Sequence, residues 1–397
     1  MRIFHRGWTH LLVLLLATLP FMAAAGANDP APSARNPGAT KMERPRIALV
    51  LSGGGAKGSA HIGVLKVLEA KHIPVDIIVG TSMGSYVAGM YAMGLSAEEV
   101  ERTTLAIDWN KGYQDKVGRD ELSLRKKQQT EKYQLRTDIG VNGDQTQLPH
   151  GFFQGQSMAS LLRHATSNLP AQKSFDNLPI PYRAVATDME TVTPFVLDHG
   201  SLAKAMQASM SIPGALKPVD WDGRILADGG TVNNMPVDVA KAMGADVVIA
   251  VDIGAKLRTR ESLKSGLAMI DQLTTYMTQV GTEKQKALLG SKDVLLSPEF
   301  GDMGIADFAR MPEGIKQGEA VANRAAAQLD ALSLSPDAYA DYRNKKLSRR
   351  AERSGQPAYY IDKVEIINKS RLSDETVRAM LKVRPDKIQT NESLEAG

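Results

Sequence analysis

The sequence contains no cysteine among its 397 residues, so no disulfide stabilises the fold and no lipid can be attached through a thiol. This absence suits a chain exported to an oxidising compartment, where a stray thiol would mispair. A strong charge excess is also missing, because the formal net charge is only +4 and includes Arg2 and Arg6, which we expect to be removed. The charge therefore gives no argument for a nucleic-acid partner.

The N-terminus lacks an apolar run long enough for a membrane anchor. Leu11 to Ala25 is apolar, but it is shorter than the roughly 20 residues that a spanning helix needs. Basic, apolar and small-residue regions follow one another, which predicts a secretory signal over residues 1–27, cleaved after Ala25 or Ala27. Residues 28–44 are rich in Pro, Ala, Ser and Gly and predict a flexible linker. We expect the periplasm, the outer membrane or the cell surface as the location.

Short apolar strands alternate with amphipathic helices after the linker. Strands are predicted over residues 46–52 and 75–80, each followed by a helix, over residues 58–72 and up to residue 93. Further strands are predicted over residues 182–188, 194–198, 225–227, 245–253 and 293–296, with helices over 236–243, 264–289 and 312–332. This order indicates an α/β fold with a mostly parallel central sheet covered by helices on both faces. The catalytic domain would span residues 45–335.

Two segments do not fit this pattern. Residues 110–149 are polar and rich in Lys and Arg, which favours a solvated surface insertion over a membrane-facing lid. Residues 336–358, with the basic run RNKKLSRRAER, are interpreted as a linker. Beyond it, Tyr359 to Asn368 alternates like a strand and Ser373 caps a helix. This last unit, residues 359–397, is too small to fold alone.

A glycine-rich loop follows the first strand and contains Gly53, Gly54, Gly55, Lys57 and Gly58. Such a loop collects backbone N–H groups and can bind a phosphate or a developing oxyanion. A dinucleotide site would want an acid at the end of the second strand, and a P-loop would want its Lys directly before Ser or Thr. Neither is present, so the loop is available as an oxyanion hole. A nucleotide-binding enzyme remains an alternative on this loop alone.

The second strand runs into Gly80-Thr81-Ser82-Met83-Gly84. This G-x-S-x-G pattern at a strand-to-helix turn is typical of a nucleophile elbow, in which the glycines relieve crowding around an exposed Ser82 hydroxyl. Such a serine needs a base.

Histidine is scarce where a Ser-His-Asp triad would need it. Beyond Ser82 the chain has only His150, His164 and His199, and His199 lies in an Asp-His-Gly sequence typical of a solvated turn. A carboxylate is left as the base. Asp228, followed by Gly229 and Gly230, ends a short strand and is expected at the carboxyl edge of the sheet, where ligands bind in such folds. Partial burial would raise its pKa toward the range useful for a base.

Together these motifs resemble the patatin-like phospholipase family. The resemblance runs from about Arg46 to at least Ser297 and includes ASMSIPGALKPV at residues 208–219. It implies Ser82 as nucleophile and Asp228 as proton acceptor of a catalytic dyad. It implies an oxyanion hole formed by Gly53, Gly54, Gly55, Lys57 and Gly58, with Gly80, Gly84, Gly229 and Gly230 supporting the turns. Lys57 stands where the family often has Arg. Asp228-Gly229-Gly230 stands where the family often has Asp-Gly-Ala.

The resemblance implies a serine-dependent lipid acyl hydrolase of phospholipase A or lysophospholipase type that needs no metal or cofactor. Its partners would be phospholipids or other acyl esters and a membrane surface. The C-terminal unit looks like the start of a POTRA module, as in secreted bacterial phospholipases that carry their own outer-membrane barrel, and we favour a fragment of such a protein. The alternative is a catalytically vestigial patatin-fold passenger domain of an outer-membrane secretion protein.

Overall fold

The computed structural model describes residues 44–113, 140–142, 145–147, 151–254, 257, 259–260, 263, 266–354, 358–368, 372–381 and 383–390. The predicted signal segment, nearly all of the linker up to residue 44 and most of the 110–149 insertion lie outside these residues. Within the described part of the chain, no helix is both long and apolar enough to cross a membrane.

An eight-stranded sheet forms the centre of the fold, in the order β12-β11-β1-β2-β6-β10-β9 with β7 also paired to β6. Its strands are β1 (Ile47–Leu51), β2 (Ile77–Thr81), β6 (Tyr182–Asp188), β7 (Thr193–Leu197), β9 (Val219–Trp221), β10 (Arg224–Asp228), β11 (Val247–Val251) and β12 (Val294–Leu296). All the strands predicted from the sequence in this part of the chain are present.

The central strands are parallel and buried on both faces, as their continuous apolar sequences predict. The prediction of a mostly parallel sheet was nevertheless wrong at one side, because β7, β9 and β10 pair antiparallel to their neighbours and make the sheet mixed. For β9 and β10 the reason is the short connection between them, in which Asp222 and Gly223 have φ of 48° and 79°. A two-residue turn can join only antiparallel strands, since a parallel pair needs a long crossover.

Helices cover both faces of the sheet and give the fold three layers. They are α1 (Ser59–Ala70), α2 (Met83–Ala92), α3 (Ala97–Ala106), α4 (Trp109–Gly112), α5 (Gln156–Ala165), α6 (Leu202–Met210), α7 (Val237–Ala242), α8 (Gly266–Lys286), α9 (Met311–Arg324), α10 (Ala326–Asp330), α11 (Pro336–Ser354) and α12 (Asp374–Met380). Alternate β1 residues enter two different cores: Leu49 packs with residues of α1, α2 and α9, and Val50 packs with residues of α7. The predicted α/β arrangement is confirmed.

Small strand pairs lie outside the central sheet. β3 (Gly140–Asn142) pairs with β4 (Gln145–Gln147), and β5 (Gly151–Phe153) pairs with β8 (Gly214–Leu216). Beyond Tyr113, the structure describes only this first pair of strands within the insertion of residues 110–149. The interpretation of the insertion as a solvated surface segment, with a membrane-facing lid as the alternative, therefore stays a prediction.

The segment interpreted as a linker is the helix α11 and not an extended connection. Lys346 is buried, donates to the Leu95 carbonyl at 2.8 Å and lies 3.4 Å from the centre of the Tyr91 ring. Tyr339, Tyr342, Lys346 and Arg350 recur at helical spacing and lie on one face of α11. Three of these side chains form hydrogen bonds to other parts of the domain. The basic residues that suggested a linker mostly occupy the exposed side of this helix.

The C-terminal unit contains β13 (Ala358–Ile361), α12 and β14 (Lys387–Thr390), with the two strands antiparallel. Ser373 caps α12 by accepting the Thr376 N–H at 3.2 Å, as predicted. The predicted strand was too long, since it ends at Ile361, and β14 was not predicted. The likeness of this unit to a POTRA module stays a prediction.

Candidate active site

Ser82 occupies a strained turn between β2 and α2. Its φ of 53° and ψ of −128° lie in a region that L residues rarely adopt. The two flanking glycines allow this turn because backbone atoms approach them closely. A Cβ at Gly80 would lie 2.4 Å from the Gly84 carbonyl oxygen, and one at Gly84 would lie 2.2 Å from the Leu51 carbonyl oxygen. Both predicted turn-supporting glycines are therefore required by close backbone packing.

The backbone of Ser82 is held by a second serine. Its N–H donates to the Ser209 Oγ at 2.8 Å, and the Ser209 hydroxyl donates to the Val185 carbonyl at 2.6 Å. All of these groups are buried. The α6 helix and the β6 strand thereby fix the turn, and the Ser82 side chain keeps its freedom to bond elsewhere.

The Ser82 hydroxyl meets the Asp228 carboxylate. Ser82 Oγ donates to Asp228 Oδ2 at 2.6 Å, and the Gly230 N–H donates to Asp228 Oδ1 at 2.7 Å. The sheet brings them together, because β6 lies between the two strands that carry them: Thr81 pairs with Val185, and Asp228 with Ala186.

Two further features of the β10 end orient the carboxylate. The Asp228 N–H donates to the Ser211 carbonyl at 2.8 Å, and the Asp228 carbonyl accepts the Thr187 hydroxyl at 2.7 Å. A Cβ at Gly229 would lie 2.3 Å from the Val185 carbonyl oxygen. Gly229 thus lets the turn pack on β6, and Gly230 supplies the N–H that holds the second carboxylate oxygen.

Burial changes the proton affinity of this carboxyl. Asp228 and Ser82 expose only 8% and 7% of their surface. Desolvation raises the pKa of Asp228 to about 6, and the hydrogen bonds from Ser82 and Gly230 oppose this rise. Because the pKa lies near neutrality, the group can be ionised at pH 7 and still accept a proton readily.

The glycine loop lies against Ser82, but its glycines differ in what their N–H groups do. A Cβ at Gly53 would lie 2.9 Å from the Ser82 Cβ. The Gly53 N–H donates to the side-chain oxygen of Asn234 at 3.1 Å, so it is not a free oxyanion donor. The buried Asn234 side chain also donates to the Gly53 carbonyl. The place of Gly53 in the oxyanion hole stays a prediction.

Gly54 and Gly55 remain as candidate donors. Within the described residues, no acceptor takes either of their N–H groups. Gly55 has φ of +58°, and a Cβ there would lie 2.2 Å from the Ile305 carbonyl oxygen, which itself accepts the Ala56 N–H at 2.8 Å. The turn therefore requires glycine and leaves two amides available.

Lys57 and Gly58 are buried parts of the same loop. A Cβ at Gly58 would lie 2.2 Å from the Met83 Cγ, so this glycine makes room for the residue after Ser82. The Lys57 ammonium lies 5.4 Å from the centre of the Phe300 ring. These contacts give both residues a packing role, and their contribution to an oxyanion hole stays a prediction.

The histidines with described contacts are engaged elsewhere. His61 is fully buried, with Nε2 bonded to the Ser52 carbonyl at 2.8 Å, and burial lowers its pKa to about 4. It is a neutral packing group behind the glycine loop. His199 is bonded to Asp198 and Asp222 in an exposed turn, as its sequence context predicted. No cluster of three or more His, Asp or Glu residues that could hold a metal ion occurs in the described part of the chain.

The sequence reasoning missed Ser209, Asn234 and the backbone N–H of Met83. Met83 is the first residue of α2, and its N–H has no acceptor within the described residues. A signal for it was available, because the residue after the nucleophile commonly donates to the oxyanion in nucleophile elbows. Ser209 and Asn234 carry no such signal, since a buried polar side chain in a loop or helix gives no pattern by itself.

Comparison with known proteins gives one family for this region. Residues 49–241 match the family model described as patatin-like phospholipase. The chain is 35% identical over 215 residues to patatin-like phospholipase domain-containing protein 6 of Mus musculus, covering 54% of this chain and 14% of the mouse protein. It is 32% identical over 210 residues to an uncharacterized NTE family protein of Mycobacterium tuberculosis (strain CDC 1551 / Oshkosh), covering 53% of this chain and 49% of the relative.

Among solved structures, VipD from Legionella pneumophila is similar with a TM-score of 0.41 and 15% identity, covering 72% of this chain and 67% of VipD. The chain spans less than half the length of the two curated relatives, 14% and 49% respectively. The matched region, residues 49–241, includes Ser82, Asp228 and the glycine loop, so the similarity to the patatin-like phospholipase family covers the whole candidate site.

Proposed function

We propose that this chain is a serine-dependent lipid acyl hydrolase of phospholipase A or lysophospholipase type. One observation carries the proposal: the Ser82 hydroxyl, in a strained turn, donates to the buried Asp228 carboxylate at 2.6 Å. A serine of this kind needs an adjacent base to become a nucleophile. The similarity to curated patatin-like phospholipase domains supports a lipid ester as the substrate.

In the first half of the reaction, Ser82 Oγ attacks the ester carbonyl carbon and its proton passes to Asp228. The carbonyl oxygen becomes an oxyanion. When the tetrahedral intermediate collapses, the bond to the alcohol oxygen breaks and the proton on Asp228 passes to that oxygen. The products of this half are a free alcohol, such as a lysophospholipid, and an acyl group on Ser82.

In the second half, water attacks the acyl carbonyl and gives its proton to Asp228. Collapse of this intermediate breaks the bond to Ser82 Oγ, which takes the proton back. The fatty acid leaves, and the serine and the carboxylate are restored. Gly230 holds the carboxylate in place through its N–H bond at 2.7 Å, so one group acts as base and acid in turn.

The oxyanion needs donors that are fixed before the reaction begins. We assign this role to the N–H groups of Gly54 and Gly55, which have no acceptor among the described residues, and to the Met83 N–H at the start of α2. The positive end of α2 adds to this stabilisation. The proposed reaction uses these protein groups and water.

The sequence supports a proposal for the location and the partners of this chain. We propose that the chain is exported and acts on phospholipids or other acyl esters at a membrane surface. The predicted N-terminal signal and the lipid substrate support this proposal.

The experiment that tests the proposal is mass spectrometry of the products released from vesicles of mixed phospholipids. The wild-type chain should release fatty acids and lysophospholipids. Ser82→Ala and Asp228→Asn should each lower the rate by roughly 10³-fold or more, because a dyad acts as a unit. Ser348→Ala and Asp330→Asn are matched controls on the exposed surface and should keep the wild-type rate.

All variants should keep the wild-type circular dichroism spectrum. Full activity of a folded Ser82→Ala or Asp228→Asn protein would refute the mechanism. A wild-type chain that is folded but releases no product from any phospholipid or soluble ester would favour the vestigial passenger domain instead.

A further inference from the structure

The long helix α8 presents its polar side to the rest of the protein. Thr282 is 4% exposed, and a Cβ at Gly281 would lie 3.7 Å from the Val232 carbonyl oxygen. One turn later, the Gln285 side chain accepts the Asp238 N–H at 3.0 Å, and Lys286 pairs with Asp252 at 2.7 Å. The C-terminal third of α8 is therefore attached through hydrogen bonds and an ion pair.

The opposite side of α8 is apolar and exposed. Its members recur three or four residues apart, with one pair adjacent in sequence, and fall on one helical face: Met269 (55% exposed), Leu273 (64%), Tyr276 (55%), Met277 (49%) and Val280 (40%). We call these five residues the α8 face. A surface helix normally buries its apolar stripe and exposes its polar one. The reversed arrangement indicates that the α8 face is a contact surface.

α8 is attached at the edge of the sheet that carries the Ser82–Asp228 pair. Its C-terminal part lies there, because Lys286 pairs with Asp252, the residue after β11, at 2.7 Å. Gly281 is adjacent to Val232, close to Asp228 in the chain. At 1.5 Å per residue, the part of α8 before Gly281 extends about 20 Å from this level.

Two further exposed apolar residues lie on the loops that build the site. Ile305, 41% exposed, provides the carbonyl that holds the Ala56 N–H of the glycine loop. Ile212, 38% exposed, follows Ser211, whose carbonyl accepts the Asp228 N–H. Apolar side chains are thus exposed both on α8 and on the segments that build the site.

We propose that the α8 face docks on the surface of a phospholipid membrane and holds the active site against its substrate. The proposal rests on the proposed function, because a lipid acyl hydrolase must reach esters that are packed in a membrane. Amphipathic helices bind such surfaces by inserting their apolar side chains among the head groups and the start of the acyl chains. Lys284 is exposed one turn beyond Val280 on the same side and suits anionic head groups.

The charge pattern favours a lipid surface over a second copy of this chain. Residues 272–282 contain no charged side chain. Paired helices normally place charged residues beside the apolar seam, where they select the partner and its orientation. Residues 272–280, which include four of the five members of the α8 face, carry none of these charges. The neighbouring acid, Glu283, is already paired with Lys286 at 2.8 Å.

The test is flotation of the full chain with vesicles of equal parts phosphatidylcholine and phosphatidylglycerol. All proteins carry Ser82→Ala, so that hydrolysis cannot alter the vesicles. The triple variant Leu273→Ser, Tyr276→Ser and Val280→Ser should lower the partition coefficient roughly 100-fold, because three apolar side chains no longer insert. The matched control is Leu105→Ser, an equally exposed apolar residue on α3 at 42% exposure, which should bind like the parent.

The same triple variant with Ser82 intact separates this inference from the proposed function. It should lose hydrolysis of vesicle lipids and keep hydrolysis of a short soluble ester. Vesicle binding equal to that of the parent would overturn the docking proposal and leave the hydrolase intact. Loss of vesicle binding with no hydrolysis of either substrate by the wild-type chain would keep the docking surface and refute the hydrolase. A change from dimer to monomer in light scattering, with binding unchanged, would assign the α8 face to self-association.

Discussion

In the proposed mechanism, the reactivity of Ser82 depends on one carboxyl group and on how completely that group is buried. Asp228 is held by the Gly230 N–H and by the Ser82 hydroxyl, and it has 8% of its surface exposed. Desolvation raises its pKa to about 6. A base with this pKa binds the proton of Ser82 more tightly than an exposed Asp would, and it still releases the proton to the leaving group.

The pH dependence of hydrolysis follows from this pKa. Only the ionised Asp228 can accept a proton, so kcat/KM for a soluble ester should rise with pH through about 6 and stay level above pH 7. Below the pKa the rate should fall about tenfold for each pH unit. Stopped assays in buffers of constant ionic strength measure the profile, with circular dichroism at each pH to show that the protein stays folded. A flat profile from pH 4 to 8 would contradict Asp228 as the base.

Among the elements, α11 shows how a polar sequence can hide a docked helix. Arg350 donates to both carboxylate oxygens of Glu99 at 2.7 and 3.0 Å, and Glu99 is also the partner of Ser96 in the cap of α3. The pairing with Arg350 lowers the pKa of Glu99. The pair thereby connects α11 to the N-terminus of α3, a helix far from it in sequence.

Replacing this arginine should loosen the contact between α11 and α3. Arg350→Ala should lower the free energy of unfolding by about 1 kcal/mol at pH 7, the usual value for a partly exposed bidentate pair. Because the folded pKa of Glu99 is lowered, the stabilisation is present above its unfolded pKa and is lost as the pH falls through the folded value. Urea unfolding at pH 7 and pH 3 measures both values. The exposed Lys345→Ala is the control, and an equal loss there would mean that α11 is not docked through Arg350.

The sequence was sufficient for elements whose pattern is local. Buried strands such as β1 and β11 consist of apolar residues throughout, and the Ser82 turn is marked by glycines on both sides. The direction of β10 was not predicted, because strand pairing depends on the turn at Asp222 and Gly223 and on distant partners. The contacts of Gly53 with Asn234 join residues 181 positions apart, and no periodicity in the sequence reports such a contact.

At the scale of the whole molecule, α8 is attached at the edge of the sheet that carries the site. The carboxyl ends of β2 and β11 lie at that edge, and Gly281 and Lys286 of α8 contact Val232 and Asp252 there. If the α8 face docks on a membrane as proposed, this arrangement would hold Ser82 close to the lipid while the rest of the fold remains in water. The region that matches the family model, residues 49–241, contains Ser82 and Asp228 and ends before α8.

Covalent labelling with a fluorophosphonate, followed by peptide mass spectrometry, tests the mechanism most directly. The probe reacts only with an activated serine. The account predicts a single labelled peptide containing Ser82 in the wild-type chain, with a labelling rate that rises through pH 6, and no comparable labelling in Asp228→Asn. Labelling of a different serine, or labelling of Ser82 at the same rate in folded Asp228→Asn, would contradict a nucleophile activated by that carboxylate.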